Sequence, residues 1–366
     1  MNSGPILEHS EDRAAFVDES SSPSFVGRAV AVTPPTTISV RPPSPWPLVM
    51  ILALAVVVRV AVVIVWTRQI GPESFGFGDS ISYWRLAGAI GRGEPYEFGW
   101  EGARCFRAPG YPLWLSWLFM IWSEPPILAA RALGVAVGVG VVAATFALAE
   151  RFAGRTVACW AGTLAAIHPE LALSSGLVLS ETLFDLLLLL QCSAWLRRRE
   201  AGAGGKRLCG AIELGIWTGL SVLVRPSWLP AVAIWGLGLL VQIGRRPKNV
   251  VPIAAAPPSA ARADVSDSLP AAHPRSGPGG RERLVSALAL ALTFSAVMSP
   301  WWIRNAVTFG TFVPTTLQTG AGLYDAWNPQ ADGGSNMRPI DAQRLAFLRQ
   351  TAARYLERDE LQEWTL

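Results

Sequence analysis

Acidic and basic side chains at the ends of apolar segments are the residues of this sequence that could do chemistry. Asp79 follows the first apolar segment, and Arg107 lies in the same polar stretch. Glu181 lies near the start of a later apolar segment, and Arg225 comes directly after another. A carboxylate at such a boundary can accept a proton from an attacking hydroxyl or amine. A guanidinium there can hold a phosphate through two parallel hydrogen bonds.

Each of these residues also has a purely structural interpretation. The sequence predicts a helix over about 80–90, with Asp79 or Ser80 as its N-cap and Gly91 or Gly93 as its stop. An arginine at the end of an apolar segment can simply extend into water. Residue type and spacing leave both interpretations open.

Further candidates for substrate binding lie in other segments. The run Arg107–Pro112, which contains Tyr111, is stiffened by two prolines and predicts a fixed loop wall or a turn into the next helix. Glu181 and Asp185 are one helical turn apart and share a face. Glu170 and Arg304 complete the set of polar candidates.

The sequence gives little support for a metal or another cofactor. His168 and Glu170 flank Pro169, but the other two histidines, His9 and His273, lie far away in the chain. The four cysteines fit no metal spacing. We therefore expect no cofactor, and a divalent metal is unsupported.

Composition shows what kind of protein must position these residues. Apolar residues make up 51% of the 366 and charged residues only 16%, against about 25% in soluble proteins. Mean hydropathy is +0.33. These values exclude a soluble globular enzyme, a disordered chain and a disulfide-stapled domain. No nucleic-acid partner is expected, because no stretch interleaves basic and aromatic residues. The sequence predicts an all-α, polytopic bundle in a lipid bilayer.

Apolar segments of about 20 residues predict membrane-spanning helices. About seven segments qualify or come close: 46–66, 127–149, 156–173, 177–196, 208–224, 227–243 and 284–302. The apolar run Tyr111–Trp122 is too short to cross and predicts an interfacial or re-entrant helix in the first outer loop, 67–126.

Lys and Arg in the short loops predict the topology. If Tyr111–Trp122 does not cross the membrane, the loops rich in Lys and Arg all lie on the same side as the N-terminus. This side is then predicted to be the cytoplasm. The expected organisation is a disordered cytoplasmic tail (1–45), a membrane module (46–243), a flexible cytoplasmic linker (244–283), a last span (284–302) and an extracytoplasmic segment (303–366). The polar candidates then collect on the outer face, as expected for a functional cavity.

The ordered motifs resemble one family. They are FGDSISYWRLAGAIGRGEPY, RAPGYPLWLSWLF, LVLSETLF, TGLSVLVRPSW and SPWWIRN. In this order they resemble the GT-C integral-membrane glycosyltransferases, in particular the bacterial relatives of protein O-mannosyltransferases and of the aminoarabinose lipid A transferases. The resemblance covers about residues 46–330.

This resemblance implies an enzyme of the plasma (inner) membrane that moves a sugar from a polyprenyl phosphate to an acceptor outside the cytoplasm. The acceptor is a protein, a lipid or a cell-wall glycan. Asp79 matches the acidic residue of the family's first outer loop, which acts as a base or orients the acceptor, and Glu181 matches a second acidic position. The family generally inverts the anomeric centre.

Two other functions stay open from the sequence. A transporter or flippase of lipid-linked sugars would also need intramembrane Arg and Glu, but it should show internal repeats and helices broken at mid-membrane. Family relatives usually continue with further spans, so a truncated, non-catalytic relative is the other alternative.

Overall fold

The computed structural model describes residues 44–99, 103–201, 205–241, 279–318 and 326–327. Within these ranges the chain is all-α, as predicted, and no strand is present. The helices are α1 (Trp46–Ile70), α2 (Gly78–Arg92), α3 (Gly110–Ile121), α4 (Ile127–Ala153), α5 (Arg155–Ile167), α6 (Pro169–Gly176), α7 (Glu181–Glu200), α8 (Gly205–Val224), α9 (Ala231–Val241) and α10 (Gly280–Phe309).

Four of these helices, α1, α4, α8 and α10, are long and apolar enough to cross a bilayer. A fifth span results if α6 and α7, which are bent by 120° relative to each other, count as one. The membrane environment is thus supported, but the predicted count of seven spans is not confirmed. Helices α5 and α9 have 13 and 11 residues, whereas a bilayer needs about 20.

The predicted span 156–173 is interrupted because of Pro169. This residue has no N–H for the carbonyl of Ala165, so α5 ends at Ile167 and α6 begins at the proline itself. The next helix, α7, begins at Glu181 rather than at the predicted 177.

A fully buried arginine in the middle of α1 satisfies the carbonyls left free by this break. The Arg59 guanidinium donates to Ala166 O at 3.1 Å and to Ala165 O at 3.3 Å. It also donates to Ser175 Oγ in α6 at 3.2 Å. In α4, a Cβ at Gly138 would lie 2.7 Å from Arg59 Nε, so this glycine leaves room for the arginine.

Contacts between helix termini define two ends of the bundle. At one, Arg155 donates to Ser44 O at 2.9 Å, Arg151 pairs with Glu200 at 3.8 Å, and Arg207 pairs with Glu282 at 3.2 Å. We call this the arginine-rich end. The opposite end, the loop end, carries α2 and α3.

Helices α2 and α3 follow the sequence prediction with one correction. Helix α2 begins at Gly78 with Phe77 as its N-cap, so neither Asp79 nor Ser80 is the cap. Gly93 ends it in the left-handed conformation, as predicted. Helix α3 has only 12 residues, about 18 Å, and is too short to cross.

Packing of α3 on α8 depends on a glycine at its start. A Cβ at Gly110 would lie only 2.6 Å from the backbone carbon of Leu223. This contact holds the beginning of α3 against the last turn of α8, directly before Arg225.

Several predicted regions lie mostly outside the described residues. They are the tail 1–45, the linker 244–283 and the segment 303–366. Of the last, residues 303–318 complete α10 and the turn that follows it.

Replacing Arg59 with leucine should destabilise the bundle. The carbonyls of Ala165 and Ala166 would lose their donor away from water, at a cost on the order of 3 kcal/mol. Thermal unfolding in detergent measures the effect. Arg68→Leu is the matched control, because Arg68 is an exposed residue in the last turn of α1. Equal melting temperatures for the two variants would contradict this role of Arg59.

Candidate functional site

A polar cavity of about 240 Å³ lies at the loop end of the bundle. It brings together four predicted residues from separate segments: Asp79, Arg107, Glu181 and Arg225. The described residues that line it are Asp79, Tyr83, Phe106, Arg107, Ala108, Leu179, Ser180, Glu181, Val224, Arg225, Pro226, Ser227, Thr316 and Gln318.

One wall of the cavity is an ion pair between Arg107 and Asp79. Arg107 Nη2 lies 2.5 Å from Asp79 Oδ1, and Nε donates to Ser82 Oγ at 3.1 Å. The guanidinium lies over the rings of Tyr83 and Phe106, at 5.1 and 4.9 Å from their centroids. Two aromatic faces, one hydroxyl and one carboxylate thus fix the orientation of this arginine.

The facing wall is a second ion pair, between Arg225 and Glu181. Arg225 Nη1 lies 3.4 Å from Glu181 Oε1, and its guanidinium lies over the Phe184 ring at 5.7 Å. Glu181 Oε2 is buried and accepts no hydrogen bond from the part of the chain that the structure describes. The second pair is therefore looser than the first.

Opposite charges balance within the cavity. Its described lining holds two guanidiniums and two carboxylates, and its other members are uncharged. An entering anion must therefore compete with Asp79 and Glu181 for the arginines.

Three predicted binding residues do not line this cavity. Tyr111 is buried in the core beneath it, with its ring edge-on to Tyr83 at 5.0 Å. Glu170 lies exposed in the first turn of α6. Arg304, in α10, lies over the rings of Tyr96 and Trp301.

Arg304 is connected to the cavity through Tyr96. Its Nη2 donates to Tyr96 O at 3.3 Å, and the Tyr96 hydroxyl donates to Arg107 O at 3.0 Å. Burial raises the pKa of Tyr96 well above its ordinary value of 10.0, so the hydroxyl keeps its proton. Arg304 therefore supports the loop that carries Arg107.

Asp185 lies one turn beyond Glu181 on α7, as its spacing predicted. It is half-buried, does not line the cavity, and interacts with the charges of Arg225, Glu181 and Glu170. Of the two acidic residues on this face of α7, Glu181 therefore lines the cavity and Asp185 does not.

A buried glutamine that the sequence reasoning missed holds the turn after Arg225. Gln191 Oε1 accepts hydrogen bonds from Trp228 Nε1 at 3.1 Å and Trp235 Nε1 at 3.0 Å. Its Nε2 donates to Ser221 Oγ at 2.6 Å. One amide in α7 thereby ties together α8, the short turn Pro226–Trp228 and α9.

The sequence analysis also missed several residues of the lining. Tyr83 could have been found, because it lies four residues after Asp79 on the same face of α2. Ser180 directly precedes the predicted Glu181, and Ser227 lies two residues after the predicted Arg225. Tyr83 Oη lies 3.5 Å from Ser180 Oγ. Thr316 and Gln318 follow α10, and no sequence pattern indicates that this turn returns to the cavity.

Metal binding gains no support from the arrangement. Among the described residues, no group of three or more His, Cys, Asp or Glu side chains could hold a metal ion. His168 is exposed at the break between α5 and α6 and does not line the cavity.

No protein family, curated protein or solved structure matches this chain. The resemblance to GT-C enzymes is therefore carried by the sequence motifs alone and stays a prediction. Any functional proposal must be argued from the residues of the cavity.

Replacing Gln191 with leucine should loosen the turn that follows Arg225, because the indole N–H groups of two half-buried tryptophans would lose their acceptor. We expect faster hydrogen–deuterium exchange in the peptide spanning 225–231, with unchanged exchange in α1. Gln69→Leu, at an exposed position near the end of α1, is the control. Unaltered exchange at 225–231 would show that Gln191 does not order this turn.

Proposed function

We propose that this chain is a membrane glycosyltransferase that moves a sugar from a polyprenyl phosphate to an acceptor. The observation that carries the proposal is the cavity in which two arginines and two carboxylates face each other at the end of an apolar bundle. The order of the family-like motifs along the chain supports the same function.

The donor phosphate would bind between Arg107 and Arg225. Both guanidiniums line the cavity, and each presents several donors in a planar fork that suits phosphate oxygens. The polyprenyl chain would stay in the bilayer beside the apolar helices. The same arginines would stabilise the charge that develops on the phosphate as it leaves.

Asp79 would act as the general base. An acceptor hydroxyl attacks the anomeric carbon of the sugar, the bond from that carbon to the phosphate oxygen breaks, and polyprenyl phosphate leaves with the electron pair. The hydroxyl proton passes to the Asp79 carboxylate. Attack opposite to the leaving phosphate inverts the anomeric centre.

Donor binding would also prepare the base. Arg107 Nη2 lies 2.5 Å from Asp79 Oδ1, and Arg225 Nη1 lies 3.4 Å from Glu181 Oε1. A phosphate that takes up donors from both arginines replaces these carboxylates as their partner. Asp79 is then free to accept the proton, and Glu181 is free to accept hydrogen bonds from the sugar.

The other predicted binding residues would act at a distance from the substrate. Arg304 supports Arg107 through Tyr96, and Tyr111 packs beneath Tyr83. Glu170 is exposed and outside the described lining, so we assign it no contact with the sugar.

We further propose that the chain crosses the membrane seven times. Helices α5 and α6 together would form the third crossing, and the turn Pro226–Trp228 with α9 would form the sixth. The arginine-rich end would then face the cytoplasm by the positive-inside rule, and the cavity would open on the outer side of the plasma (inner) membrane.

Transport of lipid-linked sugars is the second candidate, because one specific observation favours it. The break between α5 and α6 lies beside the middle of α1, as expected for a transporter helix broken at mid-membrane. However, Arg59 at this break is fully buried and is bonded to carbonyls. The enzyme therefore remains the better supported function.

Asp79→Asn should reduce sugar transfer by about 100-fold or more, as expected for loss of a general base. The assay follows a radiolabelled sugar from polyprenyl phosphate to acceptor in membranes that contain the full chain. Glu97→Gln removes another acid of the same loop, at a position outside the described lining, and should keep activity. Full transfer activity in a folded Asp79→Asn variant would show that Asp79 is not the general base.

Arg225→Gln should weaken binding of the phosphate. Loss of a charge-assisted hydrogen bond costs about 1.5–3 kcal/mol, or roughly 10- to 100-fold in affinity. The measurement is the dissociation constant of polyprenyl phosphate for purified protein. Arg104→Gln, an arginine in the first loop outside the described lining, should bind normally. Equal affinities of the two variants for polyprenyl phosphate would show that Arg225 does not bind the phosphate.

A further inference from the structure

A second cavity, of about 320 Å³, lies on the other side of α2. No described residue lines both cavities. Helix α2 contributes Asp79 and Tyr83 to the first cavity and residues of its opposite side to the second. The lining of the second cavity is Trp84, Arg85, Gly88, Arg92, Phe119, Ser123, Glu124 and Pro125. Helix α2 therefore separates this cavity from the proposed base.

One arginine of the second cavity is held in place. Arg92 Nε lies 2.7 Å from Glu94 Oε1, and Nη2 lies 3.1 Å from Oε2, so the pair is bidentate. The guanidinium lies over the Phe119 ring at 5.7 Å. It also lies over Gly88, where a Cβ would be 2.9 Å from Nη1. A glycine at this position is what lets Arg92 lie flat in the cavity.

The other arginine is available to a ligand. Arg85 lies on the same side of α2 as Arg92, seven residues or about two turns earlier. Its side chain is exposed, and it makes no hydrogen bond or ion pair with the described residues. Glu124, also exposed, is near enough to Arg92 to interact with its charge. Among the residues that the structure describes, the cavity therefore presents one unpaired guanidinium and a carboxylate together.

An apolar surface adjoins these charged groups. Helix α3 supplies Phe119 to the cavity, and its neighbours Trp117, Met120 and Ile121 are all more than 60% exposed. Trp122 is also exposed and directly precedes the rim residues Ser123 and Glu124. Tryptophan beside charged groups is typical of the boundary between lipid headgroups and acyl chains.

We propose that this cavity binds the headgroup of a phospholipid that carries a phosphate and a primary ammonium. The phosphate accepts hydrogen bonds from Arg85, with Arg92 beside it, and the ammonium pairs with Glu124. The acyl chains lie along the exposed apolar residues of α3. Such a lipid fixes the depth of the α2–α3 pair in the membrane, and this proposal does not depend on the proposed transferase function.

The charges of the cavity favour a zwitterionic headgroup over a simple anion. Arg92 is already paired with Glu94, and Glu124 at the rim repels a second negative charge. The apolar surface of α3 favours a lipid over a soluble phosphate compound, because only a lipid would cover it.

The test is binding of a short-chain phosphatidylethanolamine to the purified full chain, measured by native mass spectrometry. Arg85→Gln should weaken binding about tenfold or more, as expected for loss of a charge-assisted hydrogen bond. Glu124→Gln should remove the preference for the ethanolamine headgroup over choline. Arg68→Gln, another exposed arginine at the loop end, should bind as the unmodified chain does.

Two results would overturn the proposal. One is unchanged lipid binding by Arg85→Gln. The other is binding of inorganic phosphate as tight as that of the lipid, because this would make the cavity a site for soluble anions. Asp79→Asn separates this proposal from the transferase function, since it should strongly reduce transfer and leave lipid binding intact.

Discussion

The structure depends on one arginine, Arg59, which donates hydrogen bonds to backbone carbonyls at a helix break inside an apolar bundle. In a bilayer, every backbone carbonyl needs an internal donor. Pro169 removes one such donor, and Arg59 supplies hydrogen bonds to Ala165 and Ala166 in its place. The α5 helix can therefore end at this depth, and the chain continues through α6 to Glu181 at the loop end. Without this interaction the break would be costly, and one wall of the cavity would be displaced.

The cavity itself is built from pairs of opposite charge. Arg107 and Arg225 are each paired with a carboxylate and are each oriented by aromatic rings. This arrangement compensates the charge of two cations at the end of an apolar bundle. In the proposed reaction, the donor phosphate would replace these carboxylates as the partner of the arginines, so donor binding and the release of Asp79 would be the same event.

Much of this architecture could be predicted from the sequence, because apolar length and charge position are local properties. The apolar length of Tyr111–Trp122 predicted that α3 is too short to cross, and the positions of the charges predicted that Asp79 and Arg107 lie on the same face of the membrane. The places where prediction failed involve contacts between distant segments. Arg59 lies within a predicted span, and its role depends on a helix break more than 100 residues later. Arg304 was predicted to bind substrate, and the structure places it against Tyr96 and outside the described lining of the cavity.

The most direct test of the central claim is the fate of the donor lipid. Purified chain in vesicles would be given a polyprenyl-phosphate sugar and an acceptor, and free polyprenyl phosphate would be quantified alongside transferred sugar. A glycosyltransferase releases one polyprenyl phosphate for each sugar transferred. Movement of the intact lipid-linked sugar across the bilayer, with no free polyprenyl phosphate formed, would contradict the proposal and indicate a transporter.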